Sequence, residues 1–256
     1  MEIRDLLKKF EEKYPLDLQE DWDNSGLQVG NVNKELKGIV LSLDLEYQTI
    51  EKAIETGSNL IINHHPLLFN PLKSLDLTED LGKKLELLIK NDISLYAAHT
   101  NLDASRGGVN DNLSDILGLK DVEILKDSEE VNMVRYGFVE EMKAKDFAKK
   151  AKEVLKASST ILYGDPDKNI SKIAVCGGAG ASFIPDAIKE SCDLMLTGDV
   201  KYHEAIDAIA EGILILDPGH FASENHIIYK LKDDLKQMTD TDIHTYSKED
   251  KFRVFL

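Results

Sequence analysis

Apolar residues fall along this chain in short uninterrupted blocks, separated by stretches where they recur every third or fourth position. GIVLSLD (38–44) reads as a buried strand, and TIEKAIETG as a helix with a glycine near its C-terminus. NLIINHH is the next strand, LTEDLGKKLELLIKND a helix, and ISLYAAHT a strand. Residues 107–125 carry a further helix and a polar exit, and VRYGFVEEMKAKDFAKKAKEVLKASSTILYG reads as strand, helix, strand. The remainder alternates KIAVCGG, IPDAIKES, DLMLTGD, YHEAIDAIAEG and ILILDPG as strand, helix, strand, helix, strand, before a helix from about 220 to 237. Strands alternating with amphipathic helices predict an α/β fold with parallel pairing.

The pattern repeats. IVLSLDLEYQTIEKAIETGSNLIINHH lies over IAVCGGAGASFIPDAIKESCDLMLTGD without a gap, which pairs Ile39 with Ile173, Ala53 with Ala187 and Leu60 with Leu194. His64 and His65 then fall on Gly198 and Asp199, and His99-x-x-x-Asp103 corresponds to His220-x-x-x-Glu224. A duplicated α/β unit is expected, with domains over 1–125 and 126–256 and the last helix packing back on the first. Both copies would place their chemistry at the carboxyl ends of the strands, where open α/β sheets form crevices.

Charge narrows the partners. With 47 acidic against 31 basic residues the formal net charge is -16, and no Lys/Arg cluster offsets it locally. Such a surface repels phosphate backbones, so nucleic acid is not an expected partner. The apolar blocks are too short to span a bilayer, and MEIRDLLKKFEEKYPL is amphipathic rather than a secretory leader. Cys176 and Cys192 have neither metal-motif spacing nor the density of a disulfide framework. A cytoplasmic protein acting on a small molecule is the expectation.

Three strand ends hold the candidate chemistry. INHHP ends one strand with His64 and His65, AAHTNLDAS ends another with His99 and Asp103, and ILILDPGHFASENH ends a third with Asp217, His220 and Glu224. On a helix opening after Pro218-Gly219, His220 and Glu224 are i and i+4 and share a face. Mixed imidazole and carboxylate donors suit zinc, iron or manganese. A mononuclear catalytic zinc takes three protein ligands and this set offers more, so two adjacent histidines diverging toward two ions, about 3.5–4 Å apart, is the arrangement expected. His99 reads equally as a ligand, as a group behind the ligands, or as the catalytic proton shuttle. Asp44 is a candidate partner for an imidazole N–H. Tyr202 and His203 are left open, as are Asp23 and Asn24 in the turn-rich DWDNSGLQVG. CGGAGAS (176–182) reads either as a phosphate-approaching loop or as tight strand-to-helix packing.

The motifs DWDNSGLQVG, INHHPLLF, AAHTNLDA, TGDVKYHEA and DPGHFASE, in this order across nearly the whole length, resemble the GTP cyclohydrolase 1 type 2 homologue family, also called YbgI-like or NIF-three-like proteins. The resemblance implies two α/β domains with a two-metal site in the cleft between them, and a toroidal homohexamer. Its ligands would be His64, His65, Asp103, His220 and Glu224, with Glu224 as the bridge. The segment from 126 to 170 leaves no room for the large inserted domain of some relatives. A metal-dependent hydrolase acting on a nucleotide or phosphorylated substrate is the leading expectation; metal delivery or a ring-shaped scaffold is the alternative.

Overall fold

The computed structural model describes residues 1–126 and 132–247. The chain runs through α1 (Ile3–Lys13), β1 (Gly26–Val29), β2 (Ile39–Ser42), α2 (Tyr47–Thr56), β3 (Leu60–Asn63), α3 (Asp80–Lys90), β4 (Ser94–Ala97) and α4 (Thr100–Ala104). Every residue of β2, β3 and β4 is buried, as expected of parallel strands covered on both faces. Helix α2 starts at Glu46, whose N–H donates to the Thr49 hydroxyl at 3.4 Å. It ends at Gly57, whose φ of 67° needs no Cβ and stops the helix. Its Ile50 and Ala53 pack with Val40, Ile61, Leu88 and Leu95.

The next elements are α5 (Val109–Leu117), β5 (Lys120–Ile124), β6 (Arg135–Lys143), α6 (Ala144–Val154), β7 (Ile161–Tyr163), β8 (Asn169–Val175), α7 (Ile184–Lys189), β9 (Leu194–Leu196), α8 (Tyr202–Ala210), β10 (Leu214–Asp217) and α9 (His220–Glu224). Helix α6 buries Ala144, Phe147, Ala148 and Ala151 at helical spacing, in a core with Leu113, Ile173, Leu194 and Leu216. Truncating Phe147 there costs about 3–5 kcal/mol. The described chain closes with α10 (Ile227–Leu235) and β11 (Ile243–Thr245).

One sheet has the order β1-β4-β3-β2-β11 and the other β5-β6-β8-β9-β10-β7. In the first, β4, β3, β2 and β11 are parallel and β1 is antiparallel. In the second, β8, β9 and β10 form the parallel centre, flanked by antiparallel strands.

The chain divides at Ser105/Arg106, earlier than the boundary after residue 125. The reason is pairing: β5 hydrogen-bonds to β6, and α5 contributes Leu113 and Leu117 to the core of α6. From Ile228 the chain belongs to the first unit, where Asp234 takes an ion pair from Lys13 at 2.7 Å and a hydrogen bond from Tyr14. The helix expected over 220–237 is two helices, α9 and α10. Strands β1, β5 and β11 were not anticipated. Within the stretch too short for an inserted domain lie β6, α6 and β7, while its residues 127–131 are outside the described ones. Among the described residues no helix is long and apolar enough to cross a membrane.

The repeat has a structural counterpart. Ile39 faces Leu60 in the first sheet, and their aligned residues Ile173 and Leu194 face each other in the second. The second half of the alignment, however, slips by one residue. Leu60 faces Ser94 and Leu194 faces Leu214, so counting forward makes Thr100 the equivalent of His220, and His99 that of Gly219. Helices α4 and α9 begin at those positions too.

Candidate metal centre

In the first unit the parallel strands aim their carboxyl ends the same way, so Asp44, His64, His65 and His99 gather at one edge. His64 and His65 do not alternate across the sheet, because the strand has ended. The His64 N–H donates to the Ser42 and Leu43 carbonyls, and the His65 N–H donates to Leu43 at 3.0 Å. Asn63 Nδ2 donates to the His65 carbonyl at 2.5 Å. In this turn the two rings lie 4.9 Å apart, their planes inclined at 46°. They converge with His99, and the donor nitrogens of the three rings all lie within 4.8 Å of one another.

Each ring is anchored through Nδ1. His64, 1% exposed, donates to the Ala98 carbonyl at 2.7 Å. His65 donates to Asp44 at 2.7 Å and His99 to Asp23 at 2.8 Å. Burial works against the charged form of Asp23, but hydrogen bonds from His99, Thr100 and the Asn24 N–H prevail and hold its carboxyl well below the usual carboxylate range. Asp103, from the first turn of α4, places Oδ1 3.6 Å from His64 Nε2.

In the second unit β9 leads into Asp199 and β10 into His220, again at parallel carboxyl ends. His220 Nδ1 donates to Asp199 at 2.7 Å, and its Nε2 lies 3.0 Å from Oε2 of the buried Glu224. Gly178 has φ +63°, and a Cβ there would stand 2.2 Å from Glu224 Oε1. Gly177 and Gly178 of CGGAGAS therefore make room for Glu224, and Gly180 for Cys176 and Thr197. The N–H groups of these glycines are engaged within the protein, Gly177 on Asn110 Oδ1, Gly178 on Ser223 Oγ and Gly180 on Thr197 Oγ1. This is close packing, not a phosphate cradle.

The donor chemistry fits divalent metal. Carbonyl and carboxylate oxygens only accept, so each anchored ring carries a proton on Nδ1, and in its neutral form the electron pair is on Nε2. Nε2 of His220 then faces a carboxylate oxygen at 3.0 Å, and two electron-pair donors so close are held together by a proton or a cation between them.

The other candidates fall elsewhere. Tyr202 is 71% exposed and His203 is exposed beside it at the start of α8, their rings 5.3 Å apart. Asp217 accepts from the Gly219 N–H at 2.7 Å and the Val200 N–H at 3.2 Å, shaping the turn into α9. Cys176 and Cys192 are both buried. Sequence reasoning missed the anchoring role of Asp199; its alignment with His65, directly after a strand, was the available signal. It also missed Phe69, whose ring lies 5.8 Å from that of Trp22.

Comparison with known proteins covers the whole chain. A family model described as Duf34/NIF3 (NGG1p interacting factor 3) matches residues 1–251. A GTP cyclohydrolase 1 type 2 homolog of Clostridium perfringens is 38% identical over 98% of both chains. One from Lactococcus lactis is 35% identical, covering 100% of this chain and 99% of its own. Among solved structures, a Bacillus cereus protein related to NIF3 superposes with TM-score 0.93 at 26% identity, over 100% of this chain and 99% of that one. Reduced HcgD from Methanocaldococcus jannaschii gives 0.82 at 32% identity, over 96% and 97%.

Proposed function

The chain belongs to the Duf34/NIF3 family, and from that premise we propose that it is a metal-dependent hydrolase of small, nucleotide-like or phosphorylated substrates. His64, His65 and Asp103 of the first unit and His220 and Glu224 of the second would hold two divalent ions, zinc, iron or manganese. The carrying observation is the anchoring of four imidazoles through Nδ1 on acceptor oxygens, which presents Nε2 as the donor. His220 and Glu224 alone offer two ligands, fewer than a catalytic zinc takes, so the pooled set is the chemically complete one. A bound divalent ion would supply Lewis-acid polarisation and a more acidic water.

This chain's residues hold the rest. Asp44, Asp23 and Asp199 fix ring orientation, and Asp23 keeps His99 oriented as the proton-transferring group. The nucleotide reading follows the relatives, which are GTP cyclohydrolase 1 type 2 homologs. A homohexamer remains part of the proposal by family likeness.

The test is metal content per chain, compared between wild type and the His64→Ala and Glu224→Ala variants, followed by hydrolysis assays with nucleotides and phosphoesters. Two ions per chain, reduced in both variants, with turnover lost alongside, is expected. Metal that exchanges freely with no turnover on any substrate would turn the reading to metal delivery, and metal content unaffected by both changes would remove it.

A further inference from the structure

Trp22 and Phe69 are large aromatic side chains left 58% and 43% exposed. Their rings stand 5.8 Å apart at 50°. The His99 ring closes the wedge, 6.2 Å from Trp22 at 75° and 6.3 Å from Phe69 at 77°. Aromatic rings kept in water forgo a sizeable burial energy, so their exposure calls for a reason.

The loops carrying them are tied down. Asn24 Nδ2 donates to the Leu68 carbonyl at 2.6 Å, and the Leu68 N–H donates to Gln28 Oε1 at 3.1 Å. Gln28 Nε2 in turn donates to the Asn24 carbonyl at 2.7 Å. On the other side Asp23 accepts from the Ser25 and Thr100 hydroxyls at 2.9 and 2.5 Å. The wedge is thus preorganised, which lowers the ordering cost of binding. It shares His99 with the imidazole set. The amides nearest it, Asn24 and Gln28, are engaged in tethering and do not read a ring edge.

We propose that Trp22, Phe69 and the flank of His99 form a stacking site for a planar aromatic ring of the substrate, beside the imidazoles. Offset and edge-to-face contacts suit this geometry, and stacking without edge contacts makes the site tolerant of which ring it takes. The inference rests on reading the imidazole set as a reaction site.

Trp22 is the chain's single tryptophan, so its fluorescence reports on the wedge directly. Chelator-treated full-length protein would be titrated with guanosine, uridine and ring-free ribose 5-phosphate. Saturable quenching by a nucleoside, absent with ribose 5-phosphate, is expected. Phe69→Ala should weaken the apparent affinity at least about fivefold, with Phe69→Tyr near wild type. No saturable quenching by either nucleoside, or equal quenching in Phe69→Ala, overturns the proposal. So does Trp22 emission that changes on dilution together with dissociation of an oligomer, since a second copy would then cover the rings. Metal content of Phe69→Ala is measured in parallel: unchanged metal with lost quenching separates this site from the centre, whereas failure of the metal reading shows instead in the His64 and Glu224 variants.

Discussion

His220 Nε2 lies 3.0 Å from Glu224 Oε2, while Nδ1 of the same ring donates to Asp199 at 2.7 Å. The second contact constrains the first, because in the neutral ring a proton held on Nδ1 leaves an electron pair on Nε2 facing the carboxylate. Asp199→Asn removes the acceptor charge and admits the other tautomer, with N–H directed at Glu224. Metal affinity is expected to fall about 10–100-fold, measured by competition with a chromophoric chelator. Unchanged affinity would exclude His220 as a ligand.

Gly178→Ala tests the packing beneath the same carboxylate. The new Cβ would need φ +63° and would stand 2.2 Å from Glu224 Oε1. The left-handed conformation alone costs about 1–2 kcal/mol, and displacing Glu224 should weaken metal binding. Gly57→Ala is the control, with φ +67° and nothing within 4 Å; it should lose stability by the same conformational cost of about 1–2 kcal/mol and keep its metal. Denaturant melts and metal titrations on both variants separate strain from collision.

Acid stability should depend on Asp234. Burial disfavours its charge, but hydrogen bonds from Lys13, Lys230 and Tyr14 outweigh this and lower its pKa in the fold. A carboxyl whose folded pKa is depressed contributes stability above its unfolded pKa, about 3.9. That contribution is lost as pH falls through the lower folded pKa. Asp234→Asn should cost about 1–3 kcal/mol at pH 7 and flatten the acid limb of a urea-stability profile. A limb of unchanged steepness would assign the acid sensitivity to other groups.

Thiol chemistry should be silent in the native protein. Burial pushes the Cys192 thiol up to about 12, so almost no thiolate exists at pH 8, and Cys176 is buried as well. An aromatic disulfide reagent at pH 8 is expected to label neither cysteine until denaturant is added, when both react. Rapid native labelling of Cys192 would contradict the packing around it.

Much of this was legible along the chain. The apolar blocks at 39–42, 60–63 and 94–97 became central strands, since residues buried on both faces must be apolar throughout. The edges were harder. GLQV, KDVEI and IHT carry little apolar signal, and β1, β5 and β11 form only because a neighbouring strand supplies the hydrogen bonds. The equivalence of His99 and His220 looked natural by motif, yet the backbone register shifts it by one residue, and register belongs to pairs of strands.

What the sequence determined by itself is which residues stand at the strand ends: His64 and His65 before Pro66, His99 before a short helix, His220 and Glu224 a helical turn apart. Those follow from local stereochemistry and side-chain type. Only the tertiary structure decided which nitrogen each imidazole presents, because the tautomer is set by acceptors distant in sequence. Ala98 serves His64, Asp44 serves His65, Asp23 serves His99 and Asp199 serves His220. The folded sheets bring each acceptor within hydrogen-bond reach.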